Sequence, residues 1–276
     1  MFNDLNVLND LKVLNFNSMK KNLFLALCLI ALSPLCLKAE TIPATDSRVT
    51  FVGRTAVDGT SVSFDWTATY FRVAFSGNSL TMKASDLKVG AADEAAAAKL
   101  HNYYAVWIDS PTSAKPHRIV EVKPGENIIE LVDPMYLKKS RRSVHEVIVQ
   151  KRTEGEQGKT TIHEFATDPT GKFFQAKGLN ERQLEFIGDS YTCGYGIDAP
   201  SRKDRFSPET ENASRSYAGI VSRYFGADYV AIAHSGMGIA RNYNSKFKGW
   251  WMPDRYLQTF DEDSTQVNRW DATKSD

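Results

Sequence analysis

Cysteine and histidine are scarce in this sequence, whose 276 residues include three cysteines and five histidines. Cys28 and Cys36 lie in an N-terminal segment that we expect to be removed, so Cys193 is left without an intramolecular disulfide partner. We expect Cys193 to be a small buried packing residue. Because the spacings of histidine and cysteine match no known ligand set, we predict no metal site and no cofactor.

The chain also lacks a strong charge of either sign. Its 34 basic and 33 acidic residues give a formal net charge of +1 at pH 7. We therefore expect neither nucleic acid nor an anionic membrane as a partner. A glycine-rich phosphate loop of the Walker type is missing as well. The hydrophobic content of 42% is sufficient for a core, and the length predicts one or two domains.

The N-terminus carries one apolar run, Leu23 to Leu32, which is too short to span a bilayer as a stable anchor. Basic residues precede this run, and a serine, a proline and small residues follow it, which is typical of a secretory signal peptide. We predict that residues 1–39 are an extension and signal, that Met19 is the true start, and that the protein is exported to the periplasm or beyond. Lipid anchoring at Cys36 is not expected, because Leu35 stands where a small residue is required.

Residues 40–170 carry many short runs of alternating apolar and polar residues, separated by glycine, proline and asparagine turns. This pattern predicts an all-β sandwich. We expect Trp66 and Trp107 to face its core, Ala91 to Leu100 to form a short helix or a surface loop, and its four histidines to lie at the surface or on edge strands. The predicted strands are Arg48 to Val52, Val62 to Trp66, Tyr70 to Phe75, Leu80 to Ala84, Tyr103 to Ile108, Ile119 to Val122, Asn127 to Leu131, Val144 to Val149 and Thr160 to Phe165.

A different pattern follows a predicted linker over residues 171–182. Leu184 to Ile187 and Tyr229 to Ala233 are apolar strands, and Ser216 to Phe225 between them has a helical pattern. A strand, a helix and a strand in this order predict a parallel α/β unit within residues 183–276.

Ser190 lies just beyond the first of these strands, in the segment GDSYTCGYG, and Gly236 lies just beyond the second. Ligands of parallel α/β sheets bind beyond the carboxyl ends of the strands. A serine there acts as a nucleophile when a base removes its proton, and glycine-bearing turns supply backbone N–H groups to an oxyanion. The spacing alone also fits a simple turn serine, because Gly-Asp-Ser is common in turns.

The segment GDSYTCGYG resembles the first block of the GDSL/SGNH hydrolases, in particular carbohydrate esterase family 2, whose members deacetylate xylan and related polysaccharides. Phe206 to Asn244 is similar to that family's second block. The stretches DWTATYFRVAFSGNSLTM, NYYAVWID and VHEVIVQKRTEGEQG resemble its jelly-roll domain. The resemblance implies an N-terminal jelly-roll sandwich followed by an α/β domain of the flavodoxin-like, three-layer SGNH type.

The resemblance also implies roles for individual residues. Ser190 is the expected nucleophile, and its own N–H is the first oxyanion donor. Gly236 is the expected second donor, with Gly238 in the same turn as the alternative assignment. Asp189 is expected to fix the turn, and the implied substrate is an acetylated polysaccharide or oligosaccharide.

The sequence departs from the family in two of its blocks. The family has an asparagine in a third block, typically Gly-Thr-Asn-Asp, and a catalytic histidine in a fifth, and neither block is found here. We therefore expect the α/β domain to be incomplete, with Asp276 falling before the third block. His234 is the nearest alternative base, but no carboxylate that would orient it is evident from the sequence.

Three hypotheses follow, of which we favour the first as the function that the residues encode. The chain is a secreted esterase that removes acetyl groups by serine acyl transfer. Alternatively, it is a catalytically incomplete carbohydrate-binding protein, whose binding would not depend on Ser190. The third hypothesis is a non-functional gene fragment, in which an open sheet edge would favour aggregation.

Overall fold

The computed structural model describes residues 38–88, 101–138, 140–245, 250–263, 265, 267 and 269–271. The predicted signal segment, Leu23 to Leu32, and the alanine-rich stretch, Ala91 to Leu100, lie outside the described residues. Within the described part, the chain is mostly β-sheet, with four short α-helices: Pro134–Leu137, Ser190–Cys193, Tyr217–Phe225 and Met252–Tyr256.

Twelve strands build two antiparallel sheets: β1 (Thr41–Pro43), β2 (Thr50–Val52), β3 (Ala56–Asp58), β4 (Ser61–Phe64), β5 (Tyr70–Phe75), β6 (Leu80–Leu87), β7 (Asn102–Ile108), β8 (Arg118–Val122), β9 (Gly125–Val132), β10 (His145–Lys151), β11 (Lys159–Thr167) and β12 (Phe173–Phe174). The first sheet has the order β3-β4-β11-β6-β9, with β1 paired to β11. The second has the order β12-β5-β10-β7-β8, with β2 paired to β5. Each predicted strand overlaps an observed one, while the jelly-roll arrangement and the domain boundaries stay predictions.

One hydrophobic core joins the two sheets. It includes Phe64 and Met82 from the first sheet and Phe71, Val106 and Val149 from the second, all fully buried. These residues occupy alternate positions of their strands, as expected for a sheet with one face on a core. The segment predicted as a linker also takes part, because Phe173 lies in this core and β12 pairs with β5.

Strand β5 departs from the predicted alternation, because all six of its residues are buried. Its second face does not meet solvent. Tyr70 packs beside Tyr229 of the C-terminal part, and Arg72 pairs with Asp228. The sandwich therefore offers a buried outer face as well as a core.

The expectation that both tryptophans face the sandwich core is wrong. Trp66 lies beyond the end of β4 and packs, fully buried, against Ile232 and Met252. Trp107 is buried on the opposite face of β7 from Tyr104 and Val106, and its indole N–H donates to the Ala114 carbonyl at 2.9 Å. Alternation correctly places an aromatic inside the protein but does not identify which surface covers it.

Two of the sandwich histidines are also not where we expected them. His145 lies in β10, a central strand, and its Nδ1 is 2.6 Å from Asp109 Oδ2, with the ring buried. His163 lies in β11, another central strand, with its ring between the hydroxyls of Ser61 and Ser85. Both imidazoles are thus bonded within the sandwich.

The C-terminal part contains the predicted parallel pair. Strands β13 (Gln183–Gly188) and β14 (Asp228–Ala233) run side by side in a register that extends from Gln183 and Asp228 to Gly188 and Ala233. The Tyr217–Phe225 helix connects them and ends at Gly226, whose left-handed backbone closes the helix. The predicted strand, helix and strand are confirmed, and the incompleteness of this α/β domain stays a prediction.

Asp228, at the start of β14, ties this pair to the sandwich. Its carboxylate accepts from Arg72 and from the Tyr70 hydroxyl, each at 2.5 Å, and from the Asn180 backbone N–H at 2.7 Å. Burial alone would raise the pKa of Asp228, but these donors outweigh burial and lower the pKa below its ordinary value. The ionised carboxylate is thus the form that joins the two parts.

We predict that Asp228→Ala destabilises the protein by about 3–5 kcal/mol, because it leaves the Arg72 guanidinium buried without its partner. Urea unfolding followed by tryptophan fluorescence measures this loss. The matched control is Glu130→Ala, which removes an exposed pair with Arg118 at 3.7 Å and should cost less than about 1 kcal/mol. Equal unfolding midpoints for the two variants would contradict the structural role of Asp228.

Candidate active site

Ser190 lies where β13 ends and a four-residue helix begins. Asp189 precedes that helix, and its side chain accepts from the Tyr191 backbone N–H at 3.1 Å, which fixes the turn. Ser190 is the first helical residue and is half-buried. Its side chain borders a cleft of about 400 Å³ that is also lined by Tyr191, Gly194, Tyr195 and Ile197.

The helix ends at Gly194, where a glycine is required. Its φ of 75° is left-handed, and a Cβ there would lie 2.3 Å from the Asn212 carbonyl oxygen. The close approach lets the Asn212 N–H donate to the Gly194 carbonyl at 3.0 Å. Cys193, just before it, is fully buried, which confirms its packing role, and burial raises the pKa of its thiol.

Gly236 lies in the turn that follows β14. The Met237 N–H donates to the His234 carbonyl at 3.2 Å and closes this turn, with Gly236 at a φ of 75°. Gly238, the alternative oxyanion donor, already uses its N–H to donate to Asn242 Oδ1 at 3.2 Å. Among the residues that the structure describes, we find no such acceptor for the Gly236 N–H, so Gly236 is the better candidate.

The parallel register places these two turns beside each other. Gly188 of β13 is paired with Ala233 of β14, and the His234 N–H reaches the Gly188 carbonyl at 3.4 Å. Ser190 and Gly236 therefore follow adjacent strand ends at the same edge of the sheet, where parallel α/β sheets bind ligands.

Sequence reasoning missed the polar segment that lies beneath these turns. Lys151 is the last residue of β10, and Arg152, Thr153 and Glu154 follow it directly; all four are buried. Arg152 pairs with Asp198 at 2.8 Å, and burial lowers the pKa of Lys151 to about 8. The detectable signal was a run of polar residues immediately after an apolar strand, inside a stretch that resembles the family.

His234 does not face Ser190 through any hydrogen bond within the described residues. Its buried Nδ1 lies 2.7 Å from Asp261 Oδ2 and 3.2 Å from Arg255 Nη1. Burial would lower the pKa of His234, but the Asp261 carboxylate raises it to about 9. The imidazole is therefore protonated at neutral pH and forms an ion pair with Asp261.

Asp65, a sandwich residue, holds the backbone of the same cluster. Its carboxylate accepts from the N–H of Asp261 at 2.7 Å and from the N–H of Glu262 at 3.0 Å. Burial, followed by the charge of Asp261, raises the pKa of Asp65 to about 7. The cluster therefore anchors the chain after the Met252–Tyr256 helix to the sandwich.

Within the part of the chain that the structure describes, two groups have potential metal-ligating atoms within 4.8 Å of one another: Glu154, Cys193 and Glu211, all buried, and His234, Asp261 and Glu262, of which Glu262 is half-buried. In the first group, Ser235 donates to both oxygens of Glu154, and burial raises the pKa of Glu211 well above its ordinary value. In the second, His234 and Arg255 both hydrogen-bond Asp261. Hydrogen-bond donors of the chain itself thus already bind the Glu154 and Asp261 carboxylates, and we assign no metal to either group.

Within the described residues, no helix is both long enough and apolar enough to cross a bilayer.

A family model described as carbohydrate esterase 2 N-terminal matches residues 51–176, which correspond to most of the sandwich. An acetylxylan esterase / glucomannan deacetylase of Cellvibrio japonicus (strain Ueda107) is 34% identical over 188 residues, or 67% of this chain and 45% of that protein. The cellulase/esterase CelE of Acetivibrio thermocellus is 32% identical over 168 residues, or 61% of this chain and 19% of that protein. The chain thus spans less than half the length of these two relatives.

Solved structures show the same likeness. A family two carbohydrate esterase from Clostridium thermocellum, in complex with cellohexaose, has a TM-score of 0.69 and 27% identity, covering 82% of this chain and 62% of that chain. A family two carbohydrate esterase from Cellvibrio japonicus has a TM-score of 0.70 and 23% identity, covering 86% and 64%, and shows the fold alone. The match to the family model and the 34% identity to a curated esterase show that the chain belongs to carbohydrate esterase family 2.

Proposed function

We propose that the chain is an exported carbohydrate esterase that removes acetyl groups from xylan or a related polysaccharide by serine acyl transfer. The observation that carries this proposal is the register of β13 and β14, which brings the turns of Ser190 and Gly236 to the same sheet edge. The acetylxylan esterase relative supports the substrate class. The N-terminal apolar run supports export.

In this mechanism, Ser190 Oγ attacks the carbonyl carbon of an acetyl ester while its proton passes to a base. The carbonyl oxygen becomes an oxyanion, which accepts from the N–H groups of Ser190 and Gly236. The C–O bond to the sugar then breaks, and the sugar oxygen leaves with the proton. Water attacks the acetyl-serine, which releases acetate and restores the Ser190 hydroxyl.

The proposed mechanism requires a base that accepts the proton of the Ser190 hydroxyl. A protonated imidazole cannot accept a proton, and the pKa of His234 is raised to about 9 by its Asp261 partner. His145 and His163 are bonded within the sandwich to Asp109 and to two serines. His101 pairs with Glu121, and the His117 ring accepts from the Ile108 N–H at 3.3 Å. The described residues therefore offer Ser190 no suitable imidazole, and added imidazole is a direct way to test the nucleophile.

The lack of a suitable imidazole for Ser190 among the described residues favours a second candidate function, carbohydrate binding without turnover. The Clostridium thermocellum esterase was solved with cellohexaose bound, so a family member holds an unesterified oligosaccharide. Binding requires the cleft but no general base. This alternative predicts that cellohexaose binds equally well to the wild type and to Ser190→Ala.

We predict that the purified chain hydrolyses 4-nitrophenyl acetate in a Ser190-dependent manner when imidazole is added. A positioned general base contributes roughly 10²–10⁴-fold, so free imidazole should raise the Ser190-dependent rate by about tenfold or more. The measurement is the initial rate against imidazole concentration for the wild type and for Ser190→Ala.

The mutant serves as the control, because imidazole also cleaves the ester directly. The Ser190-dependent rate is the difference between the two proteins. If the two rates coincide at every imidazole concentration, Ser190 is not a nucleophile. Calorimetry with cellohexaose then tests the binding function.

We also predict a pH-dependent stability that belongs to His234. Because its folded pKa of about 9 exceeds the ordinary 6.5, the pair with Asp261 stabilises the fold fully below pH 6.5 and is lost as pH rises through 9. At about 1.4 kcal/mol per tenfold change in proton affinity, His234→Gln should be less stable than wild type by about 3 kcal/mol at pH 6 and nearly equal at pH 10.

Urea unfolding at both pH values measures this difference. His163→Gln is the matched control, because both ring nitrogens of that imidazole are within hydrogen-bond distance of serine hydroxyls, those of Ser61 and Ser85. A His234→Gln deficit that is the same at pH 6 and pH 10 would show that the imidazole is not ion-paired with Asp261.

A further inference from the structure

Glu154 belongs to the sandwich by sequence, yet its side chain reaches the turn that carries Gly236. Its Oε2 accepts from the Ser235 backbone N–H at 2.6 Å, and its Oε1 accepts from the Ser235 hydroxyl at 2.7 Å. The Cys193 thiol donates to Oε2 at 3.7 Å. Glu154 is fully buried, so one carboxylate contacts the Ser190 helix and the Gly236 turn together.

The two bonds to Ser235 restrict the residue that directly precedes the proposed oxyanion donor. Gly236 follows Ser235 directly. Its φ of 75° is left-handed, a backbone conformation that glycine adopts readily because it has no Cβ. Glu154 holds the peptide plane before Ser235 and the Ser235 side chain, and the Met237 N–H bond to the His234 carbonyl closes the turn over the next peptide, between Ser235 and Gly236. The direction of the Gly236 N–H therefore depends on Glu154.

The main chain of Glu154 is itself held from several sides. Lys151 Nζ donates to the Glu154 carbonyl and to the Thr153 carbonyl, each at 2.8 Å. The Glu154 N–H donates to Glu211 Oε2 at 3.1 Å. Since β10 leads directly into this segment, the sheet fixes where the carboxylate lies.

The lengths of the two bonds indicate a close contact. At 2.6 and 2.7 Å, they lie at the short end of the range for N–H and O–H donors to a carboxylate oxygen. Burial, followed by the neighbouring carboxylate of Glu154, raises the pKa of Glu211 well above its ordinary value. An apolar or neutral side chain at position 154 would hold the turn less firmly.

We propose that Glu154 is a positioning residue through which the sandwich sets the geometry of the acyl-transfer site. It does not touch the substrate, and it acts by orienting the Gly236 N–H and by supporting the helix that begins at Ser190. This inference rests on the proposed function for its catalytic consequence, whereas its structural part stands on the contacts of Ser235 and Cys193.

The test compares Glu154→Ala, Glu154→Gln and the control Glu156→Gln. Glu156 lies two residues away, and its described hydrogen bond comes from its neighbour Gln157 at 3.1 Å. Two readouts are taken: amide hydrogen exchange over the segments 190–194 and 234–238, and kcat and KM for 4-nitrophenyl acetate with imidazole present.

In Glu154→Ala, we expect faster exchange in both segments and unchanged exchange in β5 and β10. We expect kcat to fall about 100-fold with KM within about threefold of wild type, since losing one oxyanion donor costs about 10²–10³-fold in kcat. Glu154→Gln should be intermediate, because its single amide oxygen can replace only one of the two carboxylate oxygens that accept from Ser235. Glu156→Gln should match wild type in both readouts.

A double-mutant cycle with Ser235→Ala separates a specific contact from general destabilisation. If Glu154 acts through Ser235, the effects of Glu154→Gln and Ser235→Ala on kcat should combine to less than their product. Independent effects that multiply fully would overturn the inference.

The failure of this inference and that of the proposed function are distinguishable. If the wild type shows no Ser190-dependent hydrolysis, the proposed function fails, and the exchange data alone decide whether Glu154 holds the turn. If Glu154→Ala does not fold, Glu154→Gln decides by the same readouts. Wild-type exchange over 234–238 in a folded Glu154 variant, or a KM change without a kcat change, would refute the inference.

Discussion

The burial of the Asp228 carboxylate against Arg72 and Tyr70 is the contact on which the arrangement of the C-terminal part depends. A carboxylate that loses water must be compensated by donors, and here they come from β5 and from Asn180. Because Asp228 begins β14, fixing it fixes the register of β14 and, through the ladder, that of β13. The edge that carries Ser190 and Gly236 is set at the opposite end of the same two strands.

The sandwich is therefore more than a neighbour of the site. Its outer face holds the start of β14 through Asp228, and Glu154 holds the turn at the end of that strand through Ser235. Asp65 adds a third contact, since it accepts from two backbone N–H groups beside the His234 partner Asp261. Three buried carboxylates thus connect the two parts. Each buried carboxylate must be compensated by specific donors, so it fixes the position of those donors more closely than an apolar contact would.

Local patterns predicted the elements well, because alternation and apolar runs are local consequences of which face is buried. The strands of the sandwich, the parallel pair and the turn serine could all be located this way. The outer face of β5 could not, since Arg72 in a strand ordinarily means solvent. Glu154 was missed for the same reason: a charged residue is expected at the surface unless its partner is known, and Ser235 lies 81 residues away. Trp66 was placed in the wrong core because the alternation continues past the end of β4.

The histidines limit the chemistry that these residues can perform by themselves. The partner that would orient a catalytic imidazole, a buried carboxylate, is present for His234, but it lies so close and so deeply buried that it keeps the ring protonated. A stabilising ion pair and a catalytic pair can therefore both consist of a histidine and a carboxylate. They differ in the pKa of the imidazole. The register of β13 and β14 brings Ser190 and Gly236 to the same end of the sheet, and the proposed turnover depends on where the proton of the Ser190 hydroxyl can go.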